Sequence, residues 1–479
     1  MPRRSVILSS RANVGFADGI RAIERELSLS EEFPTEVLDA AEQAAASPKL
    51  PDLDRTDIAF VTLDPPGSKD LDQALHIERR GDGYRLCYAI ADVAAFVEPG
   101  GAIDLETHRR GQTLYAPDHR IPLHPAVLSE GAASLLPDQV RPALLWTIDL
   151  DSRGEGVKVD VVRARVRSRA QLDYAGAQAS LDAGTADDVL SLLKEVGELR
   201  LAREHERGGI SLPLPDQEVV VTDAGWSLEY RKRLPIEDWN AQISLLTGMQ
   251  AAELMLYGEE GIVRTLPPAS EKALLTLRHT AVALHFGWDP VVEYPDFVRM
   301  IDPNTPTGAA MLTECTSLFR GAAYVAFDGG VPERVEHAAL ATEYAHVTAP
   351  LRRLCDRYAG EIALSLCAGT EMPDWVRAKL RELPKEMERS DRVARKFERA
   401  VLDLVEAGIL TGRVGQTFDG VVTDVDDRDP ANGVVVVQEP AIEARVLAPA
   451  SSLPLGEAVR VTLTRADVSA RTVIFELAE

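Results

Sequence analysis

The sequence predicts an α+β protein in three parts: a small helical N-terminal unit (residues 1–50), a larger middle domain (51–410) and a C-terminal OB-type barrel (411–479). Three observations predict it. Leu75-His-Ile and the run Tyr84–Ile90 flank Gly81-Asp-Gly, a strong hairpin signal at the start of the middle domain. From about residue 186 the apolar residues recur at helical spacing instead, and strands followed by a run of helices read as α+β. The last stretch returns to about five short alternating segments, the number in an OB barrel.

Taken in order, Phe16, Ile20, Ile23 and Leu27 form an apolar stripe on a first helix. A second begins near Pro34-Thr35, buries Val37, Leu38 and Ala41, and stops before Ser47-Pro48, so a helix-turn-helix-like cap is expected. Val157–Val166 alternates as a strand. Thr185 with Asp188 resembles a capping box; Val189, Leu193, Val196 and Leu199 then line one helix face, which Gly208-Gly209 ends. Further helices are expected near 235–257, 270–286, 306–326, 336–346, 350–367 and 375–408. The C-terminal strands fall around Val414–Val422, Gly433–Val437, Ala444–Leu447 and Val459–Leu463, and Phe418 and Phe475 are almost its only aromatics.

With 479 residues, 45% hydrophobic and 27% charged, the chain can bury a sizeable core and is not disordered. No apolar run is long enough to span a membrane, and Arg3-Arg4 is not followed by a full hydrophobic region, so a cytoplasmic location is expected. Cys87, Cys315, Cys355 and Cys367 lack Cys-x-x-Cys spacing and read as buried thiols. The net charge of −24 argues, on its face, against a nucleic-acid partner. A channel needs only a local positive lining, however, and Val161–Arg169 or Arg352-Arg353 with Arg357 could supply it.

The densest chemistry lies in residues 62–92. Asp64, Asp70 and Asp72 are spaced so that Pro65-Pro66-Gly67 can fold the chain back and return the last two towards the first. Carboxylates gathered in one place stay ionised only with a cation, and oxygen-only donors suit magnesium or manganese rather than zinc. The plainer alternative is a solvated acidic loop. An EF-hand is excluded, because no glycine or closing glutamate sits where that loop needs them. Pro350 suits the first turn of a helix, which would set Arg352 near its positive end, where a bound phosphate would stabilise it. A salt bridge to one of the 76 acidic residues is the alternative. Tyr115, before a proline turn, could stack on a base or simply pack in the core.

The run from Thr62 to Asp92, followed by Tyr115-Ala-Pro-Asp and Ile121-Pro-Leu-His-Pro, closely resembles the catalytic signature of the RNase II (RNB) family of 3′-to-5′ exoribonucleases. The resemblance implies an RNB-type catalytic domain holding Mg2+ (or Mn2+) through Asp64, Asp70 and Asp72, with Asp70, Asp72 and Arg352 catalytic. His346-Val-Thr-Ala-Pro-Leu-Arg352 is similar to the family segment whose arginine contacts the scissile phosphate. Tyr115 matches the aromatic that clamps the terminal nucleotide, and Tyr174 a position that helps separate RNA from DNA. Glu388 matches a glutamate near the family's active site; with Arg353 and Gln73 it completes the expected substrate contacts. The C-terminal barrel resembles the OB-type RNA-binding domain that ends these proteins.

This chain departs from the family pattern in four places. A fourth acid is replaced by Gln73, a glutamate pair by Ala241-Gln242, and a second aromatic clamp is missing at the place taken by Leu212-Pro213. The two N-terminal cold-shock domains do not fit in residues 1–50. The expectation is a monomeric, magnesium-dependent enzyme releasing 5′-nucleoside monophosphates from single-stranded RNA. Two rivals stand beside it: an RNA-binding protein whose activity was weakened or lost at Gln73, and a DNA exonuclease.

Overall fold

The structure is a computed structural model. It describes residues 6–8, 17–213, 216–222, 225–231, 233–303, 305–426, 428–437, 439–440, 442–448 and 452–478. Phe16 lies outside them.

Helices α1 (Ala17–Glu26) and α2 (Thr35–Ala46) form where the apolar stripes placed them, although α2 buries Val37 and Ala41 and leaves Leu38 exposed. Next come β1 (Phe60–Asp64), β2 (Gln73–Arg80), β3 (Gly83–Ala91), α3 (Ala102–Arg110), β4 (Leu114–Tyr115), β5 (Arg120–Ile121), β6 (Val140–Leu150) and β7 (Gly156–Asp173). The predicted β2–β3 hairpin is present, with Gly81 at φ +62° in its turn, where a side chain would be strained. Strands β1, β2, β3, β6 and β7 close into a barrel in that order, β7 running parallel to β1 and sealing it.

Alternate residues of each strand face opposite ways. Here both faces are buried, which is why Leu86–Ala91 reads as a continuous apolar run. Leu75, Ile77, Leu86, Tyr88, Ile90, Trp146 and Ile148 pack on helices α5 (Asp188–Glu206), α6 (Pro235–Tyr257) and α7 (Leu354–Ala368); α4 (Tyr174–Asp182) follows β7 directly. Phe60, Ala74, Cys87, Ala89, Ala143 and Leu145 share the other core with Val37 and Ala41 of α2. Strands β8 (Glu260–Thr265) and β9 (Ala323–Asp328) pair beside this body. Helices Glu271–Ala283, Tyr294–Arg299 and Pro306–Cys315 build a separate core around Trp288 stacked on Phe297. Helix α8 (Leu383–Leu410) leads to β10 (Thr417–Asp426), β11 (Asp429–Val437), β12 (Ile442–Leu447), β13 (Ala458–Asp467) and β14 (Thr472–Leu477), a second closed barrel of five strands. The OB expectation holds.

Several expectations do not. The N-terminal helices form no common cap: Ile20 and Ile23 of α1 bury against Leu114, Ile121 and the α8 residues Phe397 and Val401, while Val37 and Ala41 of α2 join the core on one face of the first barrel, beside α3. Residues 336–346 are two short paired strands, Glu336–His337 and Thr342–Glu343, and the end of the expected 306–326 helix is β9. In Ala323–Asp328, pairing with Glu260–Thr265 far back in the chain overrides local helical preference, whereas Glu336–His337 and Thr342–Glu343 pair locally as a tight hairpin. Asp187, not Thr185, caps α5, its side chain accepting the Leu190 N–H. The expected 375–408 helix is broken into Asp374–Leu380 and α8. Phe418 and Phe475 meet edge-on inside the second barrel and are buried, so neither offers a face to a base.

Candidate active site

Asp64 is the last residue of β1, and Asp72 immediately precedes β2. Gly67, at φ +80°, lets the intervening loop reverse, so the acids return to one end of the barrel. Asp72 is only 3% exposed. Its Oδ1 accepts the Leu351 N–H at 2.8 Å, and its Oδ2 lies 3.6 Å from Arg352 Nε. Burial pushes the Asp72 carboxyl up to about 8, against the pull of Arg352 and the Leu351 N–H, with Asp356 and Asp70 adding repulsion. Asp64 is pushed up to about 7, by burial first and by Asp70 second. Two acids beside a third are thus held where a positive charge is wanted.

The segment from Thr348 to Arg353 crosses this barrel end as a strap. Gln73 donates its amide to the Thr348 carbonyl, and Thr348 Oγ1 shares a hydrogen bond with Ser244 (2.8 Å). Ala349 N–H donates to Asp356 (2.8 Å), Thr113 N–H to the Arg352 carbonyl (2.9 Å) and Leu354 N–H to the Gly111 carbonyl (3.0 Å). Buried His124 donates from Nδ1 to the Leu351 carbonyl at 3.0 Å; burial lowers its pKa to about 4, so the ring is neutral. These outside partners use up the strap's backbone groups, so α7 starts at Leu354 rather than around Pro350. The strap still leaves the Arg352 side chain 44% exposed beside Asp72.

The other expected contacts divide. Tyr115 is 48% exposed on the β4–β5 hairpin. Its hydroxyl nonetheless sits among crowded groups: burial raises it to about 12, with Arg352, Asp70, Asp72 and Arg120 as its charged surroundings. Tyr174 opens α4, and its hydroxyl accepts from Asn240 (3.2 Å), whose amide also reaches the Leu63 carbonyl (3.4 Å). Arg353 folds back on Asp356 with paired bonds of 2.6 and 2.8 Å. Glu388 is 66% exposed and pairs with Arg392 one turn along α8. Gln73 is spent on Thr348.

The expected positive lining is largely neutralised. Arg163 binds Asp92 and Glu361, Arg165 faces Asp54, Arg169 binds Asp187, and Arg357 is buried against Asp104. Arg120, which sequence reading passed over, binds Asp70 at 2.5 Å and also Glu130. It sits between two stretches already singled out, which was the available signal.

Residues 53–363 match the RNB domain family, and residues 416–478 match the RNase II-type exonuclease C-terminal S1 domain. The chain belongs to the RNB family. Ribonuclease R of Aquifex aeolicus (strain VF5) is 25% identical over 507 residues, covering 96% of this RNB chain and 70% of its own. Ribonuclease R of Escherichia coli (strain K12) is 27% identical over 435 residues, covering 85% and 51%, so the present chain spans about half of that relative. The solved Mycoplasma genitalium RNase R in complex with ribose-methylated single-stranded RNA superposes with TM-score 0.84 at 20% identity, over 96% of this chain and 78% of that one. Yeast Ssd1, a pseudonuclease, superposes with TM-score 0.70 at 17% identity, over 93% and 58%. The structural likenesses establish the RNB fold, which active and inactive proteins share.

A divalent cation suits the donors of this RNB site. Asp64, Asp70 and Asp72 are hard oxygen ligands, and the raised pKa values of Asp64 and Asp72 report charge that a cation would relieve. Among the described residues no three His, Cys, Asp or Glu side chains are gathered tightly enough to hold one as they stand. Guanidinium groups occupy the carboxylates instead: Arg120 on Asp70 and Arg352 beside Asp72.

Proposed function

We propose that the chain is a hydrolytic 3′-to-5′ exoribonuclease, monomeric and cytoplasmic, that releases 5′-nucleoside monophosphates from single-stranded RNA with Mg2+ or Mn2+ as cofactor. The observation that carries this reading is the juxtaposition of buried Asp72 with half-exposed Arg352, fixed by one hydrogen-bonded strap. The RNase R relatives support the choice of RNA.

Asp64, Asp70 and Asp72 hold the cofactor, which supplies charge neutralisation at the scissile phosphate and activation of water. Arg352 projects where a non-bridging phosphate oxygen would lie and offsets the charge that grows there as water attacks phosphorus and the bond to the 3′ oxygen breaks. The strap and His124 keep that guanidinium from drifting. Tyr115 offers its exposed ring to the terminal base, and Tyr174, held by Asn240, borders the sugar.

The direct test is product analysis. RNA incubated with the protein and Mg2+ should yield 5′-monophosphates by chromatography, while DNA of matching sequence is spared. Equal cleavage of both would favour a DNA exonuclease. The dispersed carboxylates favour one rival, an inactive RNA-binding protein; stable RNA complexes with no mononucleotide at any Mg2+ or Mn2+ level would select it.

A further inference from the structure

Asp70 lies close enough to Asp64 and Asp72 to repel both carboxylates, yet the three do not form a ligand cluster among the described residues. The reason is visible at Asp70. Arg120, the first residue of β5, sends one guanidinium nitrogen to Asp70 at 2.5 Å and the other to Glu130, in the short helical turn Leu128–Ala132. The fork is three-quarters covered: the Arg120 side chain is 25% exposed, and Asp70 and Glu130 are 16% and 26%. Its backbone is pinned, because β5 pairs residue for residue with β4, Tyr115 opposite Arg120, and Ile121 is buried against α1 and α8. Only the end of the side chain can move.

Two carboxylates share one guanidinium, and they are not equivalent. Asp70 belongs to the acid cluster; among the described residues, the Glu130 side chain pairs with Arg120 alone. A cation arriving at the cluster competes with Arg120 for Asp70, and Glu130 offers the displaced guanidinium a seat without moving the backbone. We propose that Arg120 is a latch on the metal site: it occupies Asp70 while the site is empty and shifts onto Glu130 alone when a divalent ion binds. Arg120 is a positioning residue, since it acts through Asp70. The proposal rests on the metal-dependent reading given above and adds to it the residue that sets how readily the ion enters. It also separates the roles of the two arginines: Arg352 is oriented for substrate, Arg120 for the ligand.

Calorimetric titration of the full chain with MnCl2 alone, without RNA, tests this with a readout independent of activity. Removing the competitor in Arg120→Gln should tighten Mn2+ binding, and removing the second seat in Glu130→Gln should weaken it, each by about fivefold, the worth of a partly covered ion pair. Arg120→Lys, which keeps the charge but loses the fork, should not show the tightening of the glutamine variant. Opposite shifts in Arg120→Gln and Glu130→Gln cannot come from general loosening, which would weaken both. If the parent binds Mn2+ and the two glutamine variants match it or shift together, the latch is wrong while the metal reading stands. If neither the parent nor any variant binds Mn2+, the metal reading fails and the latch with it.

Discussion

Asp72 is held on one side by a backbone N–H and on the other by Arg352, so its neighbours are fixed before any substrate arrives. Arg352→Ala should therefore depress turnover more than affinity, by about 3 kcal/mol if it resembles other preorganised charge donors; a loss seen only in KM would make it a positioning group. The sequence could place Asp64, Asp70 and Asp72 because their spacing and the proline turn are local. It could not show what Gln73 does. As a stand-in for an acid, Gln73 would hold a water on the cation, and Gln73→Asp would lower the Mg2+ needed. The structure turns its amide onto the Thr348 carbonyl, a bond that an aspartate cannot donate. Gln73→Asp should thus cost about 1–3 kcal/mol through an unsatisfied strap and reduce turnover with no gain in Mg2+ affinity. A variant that works at lower Mg2+ would show that the side chain reaches the ion after all.

Two elements close over the barrel end that bears the acids, the strap and the β4–β5 hairpin, and each makes its own prediction. His124 braces the strap from a buried position that disfavours its charged form. In the unfolded chain it takes up a proton near pH 6.5, but in the fold not until about 4. The unfolded state binds more protons between those values, so stability falls as pH drops through that window, by roughly 3 kcal/mol for this group. His124→Gln should remove much of that loss when urea unfolding at pH 7 is compared with pH 4.5. Taking the difference between parent and variant cancels the opposite trend of Asp64 and Asp72. An unchanged pH dependence would mean that His124 is not buried neutral. On the hairpin, an exposed Tyr115 ring stacking on a base contributes about 1–3 kcal/mol. Tyr115→Ala should release RNA earlier and lengthen the final products, and identical end products would show that the ring does not stack on the terminal base. The strap was the least legible element. Pro350 suggested a helix start, but hydrogen bonds to Asp72, Thr113 and His124, all distant in sequence, hold the backbone out of helix. Long-range pairing likewise made a strand of Ala323–Asp328.

At the scale of the whole molecule, alternation and turn chemistry made the second barrel readable, because each of its strands is short and bounded. The first barrel was not readable as closed: its seal is the parallel pairing of Phe60–Asp64 with the far end of β7, about a hundred residues on. That closure matters for function, since it sets Asp64 beside the end of β7 where Tyr174 begins α4. The acidic balance of −24 also reads differently once Arg163, Arg165 and Arg169 of β7 and Arg357 of α7 are seen paired, while Arg352 stands half-exposed beside Asp72. The central claim is that this cluster hydrolyses RNA from the 3′ end. Its most direct measurement uses RNA labelled at the 5′ end, incubated with the parent and with Asp72→Asn at matched Mg2+. The account predicts a ladder that shortens from the 3′ end for the parent, and for Asp72→Asn bound but full-length RNA. Equal shortening by the two proteins, or none by the parent at any Mg2+ or Mn2+ concentration, would contradict it.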